Sequence, residues 1–307
     1  MPSDTNAAGS KAVIREQFIT IIEKFIGLAA VRLSDDVMAR LEEMRAGEDT
    51  PLQKAIYDSY FENLKKAVEL KNPCCQDTGL LQFYIKTGTA FHHMDITSSV
   101  LTEAVRRATE SVPLRPNTVN YFDEKKPCDN TGERSPWIDW EIVPGSTEME
   151  ITLYFSGAGC SLPGQAKVFK PSDGLEAVIS FVFDSVFGSG INACPPLLVG
   201  IGLGHNIENA AALSKKAILR PLGTKHPQPE GAELEKHITD GLNSLGMGAQ
   251  GLRGNQAVMG VHIESSARHT ATIACAVNVS CYTLRRGIIR LKNDLSYELP
   301  TYRGASL

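Results

Sequence analysis

Three cysteines stand in sequence contexts that core packing alone does not explain. Cys75 opens the polar stretch Cys-Gln-Asp-Thr-Gly, Cys194 precedes two prolines, and Cys281 lies shortly before a pair of arginines. Glycine and proline keep the backbone around the first two irregular. Thiolates at such bends are candidate ligands for a metal or a cluster in a reducing compartment. Three of them suit an iron–sulfur cluster that leaves one iron open to substrate.

Each cysteine also has a simpler interpretation, because free cysteine is among the most buried residue types and packs as a small hydrophobe. No C-x-x-C spacing ties the three candidates together, so the residues alone leave both interpretations open. Cys275 lies inside a β-rich run and is expected to be structural. Cys128 lies in a polar turn and is expected to be exposed and not to act as a ligand. Cys160 lies in the glycine-rich stretch Gly-Ala-Gly-Cys-Ser, where we expect the glycines, and not the thiol, to contribute to a site.

Cationic side chains indicate which anion the chain could bind. Arg115 lies in the irregular stretch Pro-Leu-Arg-Pro-Asn, and its planar guanidinium is the kind of bidentate donor that a dicarboxylate needs. A plain surface arginine is the alternative. His269, at a junction between two predicted strands, is either a hydrogen-bonded structural residue or a catalytic one. Lys167, Arg285 and Arg286 are further candidates for binding the anion, with surface salt bridges as the default interpretation.

Glycine-rich stretches suggest nucleotide binding only superficially. Residues 198–205 run from a strand-like segment into a helix, but the third glycine comes one residue too early for G-x-G-x-x-G and no acidic partner follows at the expected distance. Residues 157–164 and 246–254 do not end in Gly-Lys-Ser/Thr, so they are not phosphate-binding loops of that type. They are tight turns, or they present backbone N–H groups to an anion.

Composition and charge exclude several classes of function. The 307 residues are 42% hydrophobic and 21% charged, with a formal net charge of −4 and no extended basic run, so nucleic acid is not an expected partner. The start lacks the features of a secretory signal, and no uncharged apolar stretch reaches the roughly 20 residues that span a bilayer. We therefore expect a cytoplasmic protein with no membrane contact and no disulfides.

The elements that position the candidate residues begin with a helical segment over residues 10–72. Apolar side chains from Val13 to Ile26 recur at the helical period. A second helix is predicted to begin near Ser34, where acidic capping residues cluster. A third opens at Thr50 and stops before Asn72. Cys75 is therefore expected in a loop just past a helix end.

The remainder, residues 73–300, alternates helical and strand patterns. We predict a helix capped by Thr97 and two strands joined as a hairpin around Pro-Gly-Ser at 144–146. A buried helix is predicted at residues 174–187, and amphipathic helices are predicted at 206–219 and 232–245. Further strands are predicted at 258–263 and 270–279. The fold class is α/β, with a helical N-terminal layer followed by a mixed sheet with packed helices, and residues 1–307 form a single catalytic domain.

Taken together, the ordered motifs resemble those of a known enzyme family. They are Cys-Gln-Asp-Thr-Gly at 75–79, Asn-Ala-Cys-Pro-Pro at 192–196, the glycine run 200–204, Ser-Ala-Arg-His at 266–269, and Cys281. The set resembles the class I fumarase and L-tartrate dehydratase family, from the N-terminal helices to about residue 290. The order of the motifs carries the resemblance, since no single motif does.

The resemblance implies a fold like the N-terminal domain of class I fumarases and an oxygen-sensitive [4Fe–4S] cluster held by Cys75, Cys194 and Cys281. It implies catalytic roles for Asp77 and His269. It also implies substrate contacts from Gln76, Arg115 and Gly159. Cys74 matches no ligand position in the family.

The activity implied is reversible dehydration of a C4 hydroxydicarboxylate, foremost L-tartrate to oxaloacetate and water. Hydration of fumarate to malate is the alternative, and a non-catalytic subunit that binds a cluster or metal as a scaffold is the alternative from another class. In the family, a general base and further arginines lie near a Lys-Gly-Thr motif on a second domain or a separate β subunit. This sequence contains no Lys-Gly-Thr. The resemblance therefore implies an α subunit that carries half of the active site and joins a β subunit, as an α2β2 heterotetramer.

Overall fold

The computed structural model describes the backbone of residues 4–307 and the side chains of residues 11–307. The chain divides into two compact units. The first comprises the described residues up to Asp35 together with Leu64–Ser156 and Arg285–Leu307, and the second comprises Asp36–Asn63 and Gly157–Leu284. Both contain helices packed on mixed sheets, so the predicted α/β class is confirmed. The assignment of residues 1–307 to one catalytic domain stays a prediction.

The described residues form eight α-helices and nine strands, with short 3₁₀ turns between some of them. The helices are α1 (Asp4–Val31), α2 (Asp35–Ala46), α3 (Pro51–Leu70), α4 (Met94–Ser111), α5 (Ala158–Ser161), α6 (Gly174–Ser189), α7 (Ile207–Leu219) and α8 (Pro229–Ser244). The strands are β1 (Leu80–Gly88), β2 (Trp137–Val143), β3 (Met149–Ser156), β4 (Gln165–Phe169), β5 (Leu197–Gly204), β6 (Val258–Ser265), β7 (Ile273–Ser280), β8 (Arg286–Leu291) and β9 (Tyr297–Glu298).

The first unit is built on a five-stranded sheet with the order β2-β1-β3-β8-β9. The apolar face of α1 predicted from the sequence is buried from Phe18 to Ile26 and shares one core with α4 and the sheet, whereas Val13, assigned to the same face, is 67% exposed. The sheet face supplies Phe83 and Leu153 to the same core. Burial of these side chains is what fixes β1 and β3 in place.

The predicted hairpin between β2 and β3 is wrong, although both strands exist. β1 lies between them, parallel to β2 and antiparallel to β3. The chain connecting β2 to β3 crosses the end of β1, where a Cβ added to Gly88 would lie 1.9 Å from the carbonyl oxygen of Ser146. A turn signal is local, so it reports where a strand ends but not which strand pairs with it.

The predicted cap at Thr97 is also wrong. α4 begins three residues earlier, at Met94, and the N-cap position is occupied by His93, whose side chain makes no capping bond. Thr97 is buried in the first turn, where its hydroxyl donates to the His93 carbonyl oxygen at 2.8 Å. Threonine can satisfy its hydroxyl inside a helix in this way, which makes it an ambiguous start signal.

The second unit is a four-stranded sheet, β4-β7-β5-β6, with helices on both faces. α6 and α8 contribute to the core on one face, and α7 packs on the other. The glycines of residues 198–205 lie within β5, not in a loop. A Cβ added to Gly202 would lie 1.9 Å from the carbonyl oxygen of Ala210 on α7. These glycines therefore let a helix rest directly on a strand, and a dinucleotide loop is not formed.

α6 is only partly buried, in contrast to the buried helix that its sequence indicates. Val178, Val182 and Val186 enter the core, whereas Leu175 is 52% and Phe187 43% exposed. Among the helices that the structure describes, the run Pro171–Ala193 is long and apolar enough, by length and composition, to cross a membrane. The core helix of a soluble protein passes the same test, so this is weak evidence.

Candidate functional site

Two of the three predicted cysteine ligands lie side by side in the second unit. Cys194 follows the 3₁₀ turn Gly190–Ala193 that precedes β5, and Cys281 directly follows β7. The N–H of Tyr282 donates to the carbonyl oxygen of Cys194 at 3.3 Å. Because β5 and β7 are antiparallel neighbours, with Leu198 paired to Ser280, both cysteines come to the same edge of the sheet.

The backbone at Cys194 adopts a left-handed conformation, with φ 55° and ψ 71°. Such a conformation is uncommon for a residue with a side chain and is concentrated at functional sites. Cys128 also has a positive φ, 64°. A left-handed backbone therefore does not by itself identify a ligand, and the contacts around Cys194 carry more weight.

A pair of tyrosines fixes the peptide after Cys194. The ring of Tyr60, on α3, stacks on that of Tyr282 with centroids 3.7 Å apart and an interplanar angle of 11°. The Tyr60 hydroxyl donates to the Pro195 carbonyl oxygen at 3.0 Å. Gln250 donates to the Tyr60 hydroxyl oxygen at 2.6 Å and, through its N–H, to Pro195. The chain segments that carry both cysteines are thus braced by buried contacts.

Burial raises the pKa of Tyr60, and the nearby Cys194 and Cys281 raise it further, against the opposing hydrogen bond from Gln250. The phenol therefore stays protonated and acts as a donor over the physiological range. Sequence analysis missed Tyr60, Tyr282 and Gln250. An aromatic residue on a helix carries no signal that separates a stacked partner from a core side chain.

Gly159 lies against the segment that precedes Cys194. A Cβ at this position would lie 3.1 Å from the carbonyl oxygen of Asn192, so the glycine permits close backbone approach. Its neighbour Cys160 is buried. Burial lowers the pKa of Lys215 on α7 to about 8, an effect that Cys160 opposes. Sequence analysis did not identify this lysine, because its perturbation depends on how α7 packs.

His269 lies elsewhere in the second unit. Its exposed loop joins β6 to β7, and its Nδ1 accepts the N–H of Ala271 at 3.1 Å. β5 has 8 residues and spans roughly 25 Å at a rise of about 3.3 Å per residue. Cys194 precedes its first residue, whereas the His269 loop leads into the strand paired with its last. Within one chain, the second unit does not bring His269 together with Cys194 and Cys281.

The third predicted ligand, Cys75, lies in the first unit, in a loop between α3 and β1. Cys74 is buried, and its N–H donates to the carbonyl oxygen of Ala30 at 3.0 Å, which turns the following residues away from the core. Cys75 is half-buried and Gln76 is exposed. The Asp77 carboxylate accepts the N–H of Gly79 at 3.0 Å, which closes the loop on itself.

Arg115 is tied to this loop through its backbone. Its N–H donates to the hydroxyl oxygen of Thr78 at 3.0 Å, and the amide of Asn117 donates to the carbonyl oxygen of Gly79 at 3.2 Å. The Arg115 side chain is exposed and forms no hydrogen bond or ion pair with the residues described. The first unit therefore brings Gln76, Asp77 and the guanidinium of Arg115, which bonds no described residue, to the same surface.

The expectation of surface salt bridges for Arg285 and Arg286 is wrong. Arg285 is only 3% exposed and Arg286 is fully buried. Nη2 of Arg285 donates to the carbonyl oxygen of Asp77 at 2.7 Å, and its guanidinium lies 5.3 Å from the centre of the Phe155 ring. Lys167 is exposed, with its ammonium 4.9 Å from the Phe169 ring centre, and forms no salt bridge in the described part of the chain.

Among the residues that the structure describes, no group of three or more histidine, cysteine, aspartate or glutamate side chains converges on a point that could hold a single metal ion. In a [4Fe–4S] cluster each thiolate binds a different iron, so its ligands need not converge on one point. Two reachable thiols at one sheet edge, Cys194 exposed and Cys281 half-buried, fit such a donor set. The buried guanidinium of Arg285 lies beside the Cys75 loop, and its Nε and Nη1 have no hydrogen-bond partner. It therefore also fits an anionic group bound at that loop.

A cavity of about 750 Å³ lies in a different part of the second unit, lined by Arg40, Lys225, Glu235 and His262 among others. Its buried carboxylate, Glu235, accepts the N–H groups of Ile263 at 2.8 Å and His226 at 2.9 Å. Arg40 is also engaged by the protein, since its Nε donates to the carbonyl oxygen of Met259 at 2.8 Å. None of the site residues predicted from the sequence lines this cavity.

Comparison with known proteins agrees with the resemblance seen in the motifs. A model of the fumarate hydratase (Fumerase) family matches residues 19–290. The chain is 47% identical over 278 residues to the L(+)-tartrate dehydratase subunit alpha of Escherichia coli strain UTI89, covering 91% of this chain and 92% of that protein. The corresponding subunit of strain K12 is 46% identical over the same coverage. A putative L(+)-tartrate dehydratase subunit alpha from Methanocaldococcus jannaschii is 38% identical over 269 residues, covering 87% of this chain and 94% of the relative. The chain belongs to the fumarate hydratase (Fumerase) family.

Proposed function

We propose that this chain is the α subunit of an L(+)-tartrate dehydratase, a hydro-lyase that converts L-tartrate to oxaloacetate and water. The observation that carries the proposal is 47% identity over 91% of the chain to proteins of that name, with nearly the whole relative covered. Membership in a family of fumarate hydratases supports the same reaction class, loss or addition of water next to a carboxylate.

We further propose a [4Fe–4S] cluster with Cys75, Cys194 and Cys281 as its thiolate ligands. When bound, the cluster would supply a Lewis-acidic iron that stabilises the departing hydroxide, a poor leaving group. Support comes from the adjacency of Cys194 and Cys281 at one sheet edge. Further support comes from the contacts that Tyr60 makes to the chain beside both cysteines.

The substrate is held by this chain's own polar groups in the proposal. The exposed guanidinium of Arg115 would bind one carboxylate through two parallel hydrogen bonds. Gln76 would donate from the same loop, and Gly159 would allow close approach to its backbone. Asp77, whose carboxylate is oriented by the N–H of Gly79, would act as a catalytic group within hydrogen-bond reach of the reacting carbons.

Among the site residues that the resemblance implies, His269 has the least support from the structure. Its loop lies at the far end of β5 from Cys194 and Cys281. A contact between His269 and a substrate at those cysteines would therefore have to come from a second copy of the chain. The catalytic role of His269 therefore stays a prediction, and it requires a second copy of the chain.

We propose a β subunit as the partner, in an α2β2 heterotetramer located in the cytoplasm. The relatives are named as subunits alpha, which implies a second kind of subunit. The general base and the further arginines, which the resemblance places near a Lys-Gly-Thr motif, would lie on that subunit.

Fumarate hydratase is the second candidate activity, favoured by the description of the matching family. Both reactions need the same carboxylate contacts, and they differ in one hydroxyl on the substrate. A non-catalytic scaffold that binds a cluster or a metal is the candidate from another class.

The deciding experiment is an anaerobic assay of the chain reconstituted with iron, sulfide and its β subunit, against L-tartrate and L-malate in parallel. We expect a brown complex with kcat/KM for tartrate well above that for malate, and negligible turnover by the chain alone. Preference for malate would favour the fumarate hydratase. A colourless protein that holds tetrahedral zinc and turns over neither substrate would favour the scaffold.

A further inference from the structure

One buried cation in the first unit has no counter-charge. Arg285 is 3% exposed, and its Nε and Nη1 have no hydrogen-bond partner. Its described contacts are the bond from Nη2 to the Asp77 carbonyl oxygen at 2.7 Å and the Phe155 ring, whose centre lies 5.3 Å from the guanidinium carbon. No carboxylate pairs with it in the part of the chain that the structure describes.

Such an arrangement is costly for the protein by itself. A guanidinium is not deprotonated in proteins, so burial leaves the charge in place. Each donor left without a partner forfeits the hydrogen bonds it would make in water. Replacing an unpaired buried charge with an apolar side chain of similar size is often neutral or stabilising for a fold. A stability role alone therefore does not account for an arginine here.

The place of Arg285 in the fold indicates what its free donors are for. Nη2 bonds the residue two positions after Cys75, and Arg115 is attached to the next residue of the same loop, Thr78. This loop carries one proposed thiolate ligand and two proposed substrate contacts. An anion bound at the loop would supply the missing counter-charge.

We propose that Arg285 is a positioning residue with two functions: Nη2 fixes the loop of residues 75–79, and Nε and Nη1 donate to an anionic group bound there. The inference rests on the proposed function, because the anion is either a sulfur of the cluster attached through Cys75 or a carboxylate of the substrate. Both sources accept charge-assisted hydrogen bonds from a guanidinium.

Arg285→Met in the full αβ complex tests this, with three anaerobic measurements. The cluster-free variant should melt close to the cluster-free wild type, because removal of a buried charge without a counter-charge offsets the lost bond to the Asp77 carbonyl oxygen. Iron release to a chelator without substrate should be roughly tenfold faster or more if the guanidinium contacts the cluster. If it contacts substrate instead, the L-tartrate concentration that half-protects the iron should rise by a similar factor.

Arg290→Met is the matched control, since Arg290 lies on β8, the strand that begins directly after Arg285, but is exposed and paired with Glu150 at 2.7 Å. It should change neither iron release nor protection by tartrate. Arg285→Lys keeps the charge without the fork geometry, so it should fall between wild type and Arg285→Met.

Two results would overturn the assignment while leaving the proposed function intact. One is a wild type that binds iron and an Arg285→Met variant with unchanged iron release and unchanged tartrate protection. The other is a cluster-free Arg285→Met variant that melts well below wild type, which would make the arginine a structural residue. A wild-type complex that takes up no iron would overturn the proposed cofactor, and the assignment of Arg285 with it.

Discussion

The N–H of Tyr282 and the carbonyl oxygen of Cys194 form a hydrogen bond of 3.3 Å between residues that are far apart in sequence. Because Tyr282 follows Cys281 directly, the bond sets the backbone spacing of the two cysteines. Tyr60 adds a stacked ring on Tyr282 and a hydrogen bond to Pro195. The backbone positions of both thiols are thus fixed by protein contacts alone, which reduces the reorganisation that binding would require.

The first prediction uses thiol reactivity to identify ligands. In the cluster-free chain, iodoacetamide should label the exposed Cys128 and Cys194 faster than Cys275, because burial raises the pKa of the Cys275 thiol to about 12 and only the thiolate reacts. After anaerobic cluster assembly, Cys75, Cys194 and Cys281 should become protected while Cys128 still reacts. Peptide mass spectrometry measures each rate.

Cys128 is the internal control for this experiment, since it shares the exposure and the positive φ of Cys194. Cys194→Ala should also lose the visible absorbance of the cluster, whereas Cys128→Ala should keep it. Equal labelling of Cys194 with and without iron, or a full cluster in Cys194→Ala, would contradict the assignment.

The second prediction concerns carboxylate binding by Arg115. Arg115→Lys keeps the charge but loses the bidentate geometry, which should cost about 2–4 kcal/mol, or roughly 30- to 1000-fold in kcat/KM. The melting temperature and iron content should stay at wild-type values, because the side chain is exposed and bonds nothing else in the described chain. Arg106→Lys, an exposed arginine paired with Glu103, is the control. Wild-type kinetics for Arg115→Lys on both tartrate and malate would make Arg115 an ordinary surface residue.

The third prediction separates a role for His269 in its own chain from a role in another. His269 and Cys281 lie at opposite ends of the second-unit sheet. If His269 contacts substrate bound to a neighbouring copy, His269→Asn and Cys281→Ala should each be inactive alone but partly active when co-assembled. In mixed assemblies one site would then keep both an intact cysteine set and an intact histidine.

Activity of the mixed complex, with iron content measured in parallel, decides this point. An inactive mixture would mean that His269 does not act across chains. Full activity of His269→Asn by itself would remove the residue from the site altogether.

The fourth prediction concerns pH and Lys215. Burial lowers the pKa of this lysine in the folded protein to about 8, from 10.5. Between these values the unfolded chain binds the proton and the folded chain does not, so stability should rise as pH increases from 8 to 10.5. Lys215→Met should be more stable than wild type at pH 7, with the difference shrinking towards pH 10.5. Urea midpoints of the cluster-free chain at both pH values measure it.

Lys216→Met is the control for the fourth prediction, because Lys216 is the exposed neighbour on the same helix. It should leave the pH dependence of the urea midpoint unchanged. A wild-type midpoint that falls between pH 8 and 10 in the same way for all three proteins would contradict the assignment to Lys215.

The sequence was sufficient for most helices and strands but not for their partners. The start of α3 at Pro51 and the side-chain cap of α7 by Asn206 follow local rules. The placement of β1 between β2 and β3 does not, because pairing depends on burial contributed by distant residues such as Phe18 and Leu153. Local patterns therefore predicted most helices and part of the strands, but they missed β1, β4, β8 and β9 and the order of the sheet.

Some residues of the candidate site could likewise be predicted from the sequence, and others could not. Cys75, Cys194 and Arg115 could be chosen from residue type and irregular surroundings. Arg285 was only one of three further candidate cations, with a surface salt bridge as its default, because an arginine just before a strand is normally exposed and nothing local indicates its burial. Tyr60 was missed for a related reason: its partners, Pro195 and Gln250, come together only through tertiary packing.

The first unit draws on both ends of the chain, and its last segment, Arg285–Leu307, supplies β8 and β9. During synthesis, every residue of the second unit emerges before that segment does. The second unit can therefore gather its complete set of strands while translation continues. β3 must wait for its neighbour β8 until the final stretch has been released, so a ribosome that stalls after residue 284 would leave an open strand edge, and such edges invite aggregation.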